Sequence, residues 1–148
     1  MENIIAIREK STEKANVAFR EFMTLTEQEF NNRAYNDHSL FKHCNGIELE
    51  QVAVSVLQDV APVTPFRPEN ICLVSGSRFP DIVAEHYYGV EVKTTEKDHW
   101  ISTGSSIVES SRIRDVEHIY MLFGKLGGEY AEFKCRPYYR GKFICSMA

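Results

Sequence analysis

The sequence predicts an α+β (α/β) domain in which helices precede a mixed β-sheet. The first half of the chain carries helical patterns of apolar residues, whereas residues 71–138 hold short runs rich in β-branched and aromatic residues. A chain of 148 residues with 43% hydrophobic residues has the size and composition of one globular domain with a buried core. We therefore expect a single domain over residues 1–148, with its helices before its strands.

Two helical regions are predicted in the first half. Residues 10–35 are expected to form a helix in two pieces, because Thr26 and Glu29 match a capping box that would start the second piece. A further helix is predicted over residues 47–61, and the proline-rich connector of residues 62–68 ends it.

Five strands are predicted in the second half from runs of β-branched and aromatic residues. A break at His86 and the pair Gly127-Gly128 each separate two such runs and indicate hairpins. Residues 104–116 have no clear period, and a short helix is one option there. The predicted strands are residues 71–74, 79–85, 87–95, 118–126 and 129–138.

The first of these hairpins brings two carboxylates together. If its turn centres on His86, residues with a constant index sum face each other, so Asp81 faces Glu91 with Cβ atoms about 4.5–5.5 Å apart. Two bare carboxylates at that distance repel each other, which raises one pKa or recruits a cation. Because oxygen ligands suit hard ions, the pair predicts a site for Mg²⁺, for which Mn²⁺ can substitute.

The same strand also supplies a lysine to this pair. Side chains alternate along a strand, so Glu91 and Lys93 share one face while Val90 and Val92 share the other. We expect the valines in the core and the charged residues in a cleft or in solvent. The pattern by itself has little specificity, because an exposed edge hairpin with a Glu–Lys face would have a similar sequence.

The stretch from Val74 to Gly128 resembles type II restriction endonucleases of the PD-(D/E)xK nuclease superfamily. The resemblance rests on Ser75-Gly76 and on residues 79–84 (FPDIVA), 88–95 (YGVEVKTT) and 100–112 (WISTGSSIVESSR). It implies a restriction-endonuclease-like core, in which a mixed sheet is flanked by helices. It also implies Mg²⁺-dependent hydrolysis of double-stranded DNA by a homodimer, which leaves a 5′-phosphate and a 3′-hydroxyl.

The resemblance gives roles to the hairpin residues. Asp81 and Glu91 would bind Mg²⁺, with the backbone carbonyl of Val92 as a further ligand. Lys93 would orient the attacking water and offset the negative charge that builds up on the phosphate. Similar nucleases often present a glutamate from a helix packed on the catalytic sheet, which points to the predicted helix over residues 47–61.

Glu50 is the main candidate for that helical glutamate. It falls on an apolar face of the predicted helix, where a carboxylate is costly unless it is paired or bound to a metal. The apolar members of this face are Ile47, Val54, Leu57 and Ala61. In one alternative the helix is rotated so that Glu50 is exposed, and in another Glu48 is the site residue. The buried stripe of the rotated helix would be Leu49, Val52, Val56 and Val60.

The charge distribution is unusual for a protein that binds DNA. The net charge is −4, whereas many DNA-binding domains are basic. Residues 124–148 depart from this balance with five basic and two acidic residues, and this positive patch either contacts phosphates or forms a solvated strand face. Its basic residues are Lys125, Lys134, Arg136, Arg140 and Lys142.

Cysteine usage and the absence of long apolar runs suggest the cytoplasm. The four cysteines are scattered without a C-x-x-C pair, which argues against a zinc site and fits reduced thiols. No apolar run approaches the length of a transmembrane helix, and the N-terminus lacks the pattern of a signal peptide.

Two other functions remain open from the sequence. In the first, the chain is a repair or junction-resolving nuclease of the same fold. In the second, it is a catalytically silent fragment that binds DNA or assembles with a partner. The second alternative arises because the restriction enzymes that it resembles are usually longer, so a truncated C-terminus is expected. The sequence does not define a DNA recognition sequence, because base readout depends on side chains placed in a groove.

Overall fold

A computed structural model describes residues 2–76, 78–101 and 115–138, and all structural statements concern these residues. They form an α+β structure of three α-helices followed by a five-stranded mixed sheet. The helices are α1 (Ile4–Lys10), α2 (Thr12–Asn36) and α3 (Gly46–Val60). The strands are β1 (Ile71–Leu73), β2 (Ile82–Ala84), β3 (Tyr88–Thr95), β4 (His118–Lys125) and β5 (Glu132–Tyr138). The predicted order of helices before strands is therefore confirmed.

The strands lie side by side in chain order, β1-β2-β3-β4-β5. The first three run antiparallel to one another, β4 runs parallel to β3, and β5 returns antiparallel to β4. Both predicted hairpins are present, and the second turn spans the predicted glycine pair. Of the ambiguous stretch over residues 104–116, residues 104–114 lie outside the described residues.

The prediction that residues 10–35 form two helical pieces broken at Thr26 was wrong. α2 is continuous over its 25 residues, and the Thr26 hydroxyl donates a hydrogen bond of 2.8 Å to the Phe22 carbonyl in the core. A buried threonine whose hydroxyl donates to a carbonyl of the preceding turn does not start a new helix. The helix boundary instead lies at Ser11, whose hydroxyl accepts from the Lys14 N–H and caps α2 after the short α1.

α3 lies within one residue of its predicted bounds. Asn45 caps its first turn in a capping box with Glu48, and a 3-10 turn over Ala61–Val63 follows its end. Its predicted apolar face was only partly right, because Ile47 is 69% exposed and Leu49, Val56 and Val60 of the rotated alternative are buried. The residues that α3 buries are Leu49, Ala53, Val56, Leu57 and Val60.

The two faces of the sheet have different surroundings. Along β3, Tyr88, Val90 and Val92 point to the side that we call the helix face, where they join the main core with residues from all three helices. The Phe19 ring of α2 stacks on Tyr88 with its centroid 4.6 Å away. Gly89, Glu91 and Lys93 alternate with these residues and lie on the opposite face. A second, smaller hydrophobic cluster contains Phe79, Val116 and Ile119.

Candidate active site

The β2–β3 hairpin has the predicted register. Ile82 pairs with Val90 and Val83 with Gly89, so the hairpin is centred on His86 and Asp81 stands opposite Glu91. β2 is shorter than the predicted strand over residues 79–85. The Asp81 N–H donates a hydrogen bond of 3.2 Å to Glu91 Oε1. A side-chain oxygen of β3 therefore accepts this bond in place of a backbone carbonyl.

The turn of this hairpin is fixed by a buried glutamate that the sequence analysis did not identify. Glu85 and His86 have φ angles of 52° and 67°, a left-handed conformation that is unfavourable for residues other than glycine. The Glu85 carboxylate, only 1% exposed, accepts hydrogen bonds from the Arg67 N–H at 3.1 Å and from Asn70 Nδ2 at 3.0 Å. These bonds tie the turn to the connector and so hold the hairpin in one position.

Asp81 and Glu91 orient each other through backbone groups. The Asp81 N–H donates to Glu91 Oε1, and the Val92 N–H donates to Asp81 Oδ2 at 2.8 Å. Each carboxylate is thus held by the backbone of the segment that carries the other. Glu91 is 8% exposed, and burial, followed by the charge of Asp81 and a hydrogen bond to its carboxylate, raises the pKa of Glu91 to about 8.

Glu50 joins this pair from α3. Burial, followed by the charge of Asp81 and a hydrogen bond to its carboxylate, raises the pKa of Glu50 to about 7. Glu48 is exposed, and its carboxylate accepts a hydrogen bond from the Asn45 N–H in the capping box. Of the two glutamates considered for the site, Glu50 is therefore the one that the structure places beside Asp81.

Lys93 completes the group, which we call the acidic cluster. The half-buried Lys93 acts on both glutamates and lowers the pKa of each, but burial and the charge of Asp81 outweigh it. Three carboxyl groups and one ammonium therefore share a partly buried site, and ionisation of all three carboxyl groups would leave an excess of negative charge. The acidic cluster is Glu50, Asp81, Glu91 and Lys93.

The carboxylate oxygens of this cluster are donors of the type that Mg²⁺ takes. The residues that the structure describes contain no group of three or more His, Cys, Asp or Glu side chains arranged to hold a metal ion. Mg²⁺ does not require one, because it is commonly held by one or two carboxylates and completes its shell with water. Asp81 and Glu91 supply two carboxylates. Val92 meets Asp81 through its N–H, and a role for its carbonyl stays a prediction.

The described part of the predicted positive patch is largely engaged in structural contacts. Lys125 forms ion pairs with Asp98 at 2.7 Å and with Glu132 at 3.3 Å, and Arg136 pairs with Glu27 at 2.8 Å. Lys125, whose side chain is 12% exposed, and Arg136 therefore form ion pairs within the fold, and contact with phosphate stays a prediction. Arg140 and Lys142 lie outside the described residues.

Comparison of the chain with protein-family models, curated proteins and solved structures gives no match. Among the described helices, none has both the length and the apolar character needed to cross a membrane.

Proposed function

We propose that this chain is a Mg²⁺-dependent endonuclease that hydrolyses DNA phosphodiester bonds, as a type II restriction enzyme with a restriction-endonuclease-like core. The observation that carries the proposal is the reciprocal hydrogen bonding of Asp81 and Glu91 beside Lys93. The mixed sheet packed on helices supports the proposed core.

Asp81 and Glu91 are the residues that would hold the ion, with the Val92 carbonyl as a further ligand. Their carboxylates are pre-oriented by backbone N–H groups, which limits the rearrangement that binding requires. The raised pKa of Glu91 means that its charged form lacks a sufficient counter-charge, and a divalent cation would provide one. When bound, Mg²⁺ would polarise the scissile phosphate and lower the pKa of a bound water.

Lys93 and Glu50 would act on the water and the phosphate. The Lys93 ammonium would orient the attacking water and offset the negative charge that develops on the phosphate in the transition state. Glu50 would accept hydrogen bonds from the water shell of the ion or help to hold a second ion. The attack would form a new P–O bond and break the bond to the 3′ oxygen, which leaves a 3′-hydroxyl and a 5′-phosphate.

The proposed partner is double-stranded DNA, and the proposed enzyme is a cytoplasmic homodimer. Each subunit would cut one strand, since two-fold symmetric dimers match the symmetry of palindromic sites.

The test compares wild type with Asp81→Asn on plasmid and phage DNA, in Mg²⁺ and then in EDTA. Wild type should give discrete bands with 5′-phosphate ends that EDTA abolishes, and Asp81→Asn should cut at least about 10³-fold more slowly because the ion loses a ligand. The matched control is Asp59→Asn, an exposed carboxylate of α3 whose ion pair is with Arg33. Equal cutting by wild type and Asp81→Asn would remove the assignment. Cutting of branched DNA alone would indicate a repair nuclease, and binding without cutting would indicate a silent fragment.

A further inference from the structure

Gly89 leaves no room for a side chain next to the residue that precedes Asp81. A Cβ atom built on Gly89 would lie 2.4 Å from Pro80 Cγ and 3.2 Å from Val116 Cγ1. Non-bonded carbon atoms prefer separations of about 3.5–4.0 Å. The Pro80 ring therefore occupies the space that any other residue at position 89 would need, and it rests on the backbone of β3.

Pro80 has little freedom to move away from β3. The proline ring includes the backbone nitrogen, so the ring cannot rotate away from a contact. A group that crowds the ring therefore displaces the backbone of Pro80. The preceding residue, Phe79, is 4% exposed and is held in the second hydrophobic cluster with Val116 and Ile119. The following residue is Asp81, so a displacement of Pro80 moves the aspartate.

We propose that Gly89 is a positioning residue for the Asp81–Glu91 carboxylate pair. Because Gly89 has no side chain, Pro80 can rest on β3. This contact sets the position from which Asp81 reaches Glu91 and the Val92 N–H. The consequence for catalysis rests on the proposed function, whereas the geometric claim does not depend on it.

Gly124 provides a matched control on the neighbouring strand. A Cβ atom there would lie 2.8 Å from Phe133 Cε2 and 3.2 Å from Leu49 Cδ2, so alanine is also crowded at this position. Those neighbours are buried side chains of the main core, and neither belongs to the acidic cluster. Gly124→Ala therefore perturbs packing in the same sheet without touching Pro80 or Asp81, and it reaches the acidic cluster only through Leu49, the residue before Glu50.

The experiment measures the site geometry and the reaction separately in Gly89→Ala and Gly124→Ala. Amide signals in ¹⁵N–¹H NMR spectra without Mg²⁺ report the hydrogen bonds that the Asp81 and Val92 N–H groups donate. Cleavage rates at increasing Mg²⁺, far below the unfolding temperature, report the reaction. We expect Gly89→Ala to shift both amide signals, to raise the Mg²⁺ needed for half-maximal cleavage and to lower kcat by about 10²-fold, the scale of a 1 Å misplacement. Gly124→Ala should leave both amide signals near wild type.

Unchanged amide signals in Gly89→Ala, or equal shifts of these signals in both variants, would overturn the proposal. Wild-type protein that cuts no DNA would refute the proposed function, while the amide signals would still decide the role of Gly89. Should Gly89→Ala fail to fold, the double variant Gly89→Ala/Val116→Ala removes the contact with Val116 but keeps the contact with Pro80. The same shifts are then expected in that variant, with Val116→Ala as its control.

Discussion

Two groups of charged residues lie on or beside the same sheet, and carboxyl groups in the two have pKa values shifted in opposite directions. The first is the acidic cluster on the β2–β3 hairpin and α3. The second, which we call the paired cluster, is Asp98, Lys125 and Glu132. In the paired cluster a hydrogen bond from Lys125 lowers the pKa of Asp98, and the same bond raises the pKa of Lys125. In the acidic cluster the pKa values of Glu50 and Glu91 are raised.

The opposite directions of these pKa shifts separate a structural ion pair from a candidate site. Each partner in the paired cluster stabilises the charged form of the other, so no further ligand is needed. In the acidic cluster burial and mutual repulsion disfavour the charged carboxylates, which costs folding stability in the absence of a cation. Strongly perturbed pKa values of this kind are concentrated at functional sites.

After Asp81→Asn, the largest effect is expected for Lys93→Met, which keeps the apolar stem of the side chain and removes its charge. Cleavage should fall by about 10²–10³-fold in kcat, because the phosphate loses its cationic partner in the transition state. The Mg²⁺ needed for half-maximal cleavage should not rise, since Lys93 repels a cation. Steady-state cleavage with Lys97→Met, an exposed lysine on the loop after β3, serves as control. A kcat of Lys93→Met within twofold of wild type would contradict this role.

A smaller effect is expected for Glu50→Gln. Groups that support metal ligands typically contribute about 10–100-fold to metal affinity, so the half-maximal Mg²⁺ concentration should rise by about tenfold. Glu48→Gln is the matched control on the same helix turn and should change helix stability but not the Mg²⁺ dependence, since Glu48 belongs to the capping box. A larger effect of Glu48→Gln on Mg²⁺ dependence would reverse the assignment of the helical glutamate.

The raised pKa values also predict how stability depends on pH without metal. Between the ordinary pKa near 4.5 and the raised value of about 8, folded Glu91 holds a proton that the unfolded chain has lost. The folded state then binds more protons, so this contribution to the free energy of unfolding falls as the pH rises through that range. Glu50 acts in the same direction up to about pH 7.

Urea unfolding in EDTA at pH 5 and pH 8.5 measures this slope. Glu91→Gln should be less sensitive to pH than wild type, and Mg²⁺ should stabilise wild type more at pH 8.5 than at pH 5. An identical pH slope in wild type and Glu91→Gln would show that the carboxyl group of Glu91 is not held in its protonated form.

The smallest effect is expected for Arg136→Met outside the acidic cluster. The Arg136 side chain is 50% exposed and pairs with Glu27, and ion pairs of this kind contribute about 0.5 kcal/mol to the free energy of unfolding. Cleavage should stay within twofold of wild type. A loss of DNA affinity in Arg136→Met that high salt diminishes would instead assign this residue to phosphate contact.

The hairpin was predictable from the sequence because its determinants are local. Strand alternation and a turn at His86 fix which residues face each other, and the structure has that register. The break predicted at Thr26 failed because burial against the core overrides a local capping signal.

The parts of the site that the sequence did not reveal depend on contacts between distant segments. Whether Glu50 or Glu48 approaches Asp81 depends on how α3 is rotated against the sheet, and no periodicity within α3 determines this. Glu85 is fixed by Arg67 in the connector and by Asn70 just after it, which local sequence does not show. A glycine inside a strand does signal close approach of another segment, and at Gly89 that segment is Pro80.

Calorimetric titration of Mg²⁺ into wild type and Asp81→Asn, at pH 7 and without DNA, tests the central claim most directly. Wild type should bind Mg²⁺ and release protons as it does so, because the ion displaces protons from the acidic cluster. Asp81→Asn should bind at least about tenfold more weakly. Equal affinity in the two proteins, or no binding to wild type, would contradict the account.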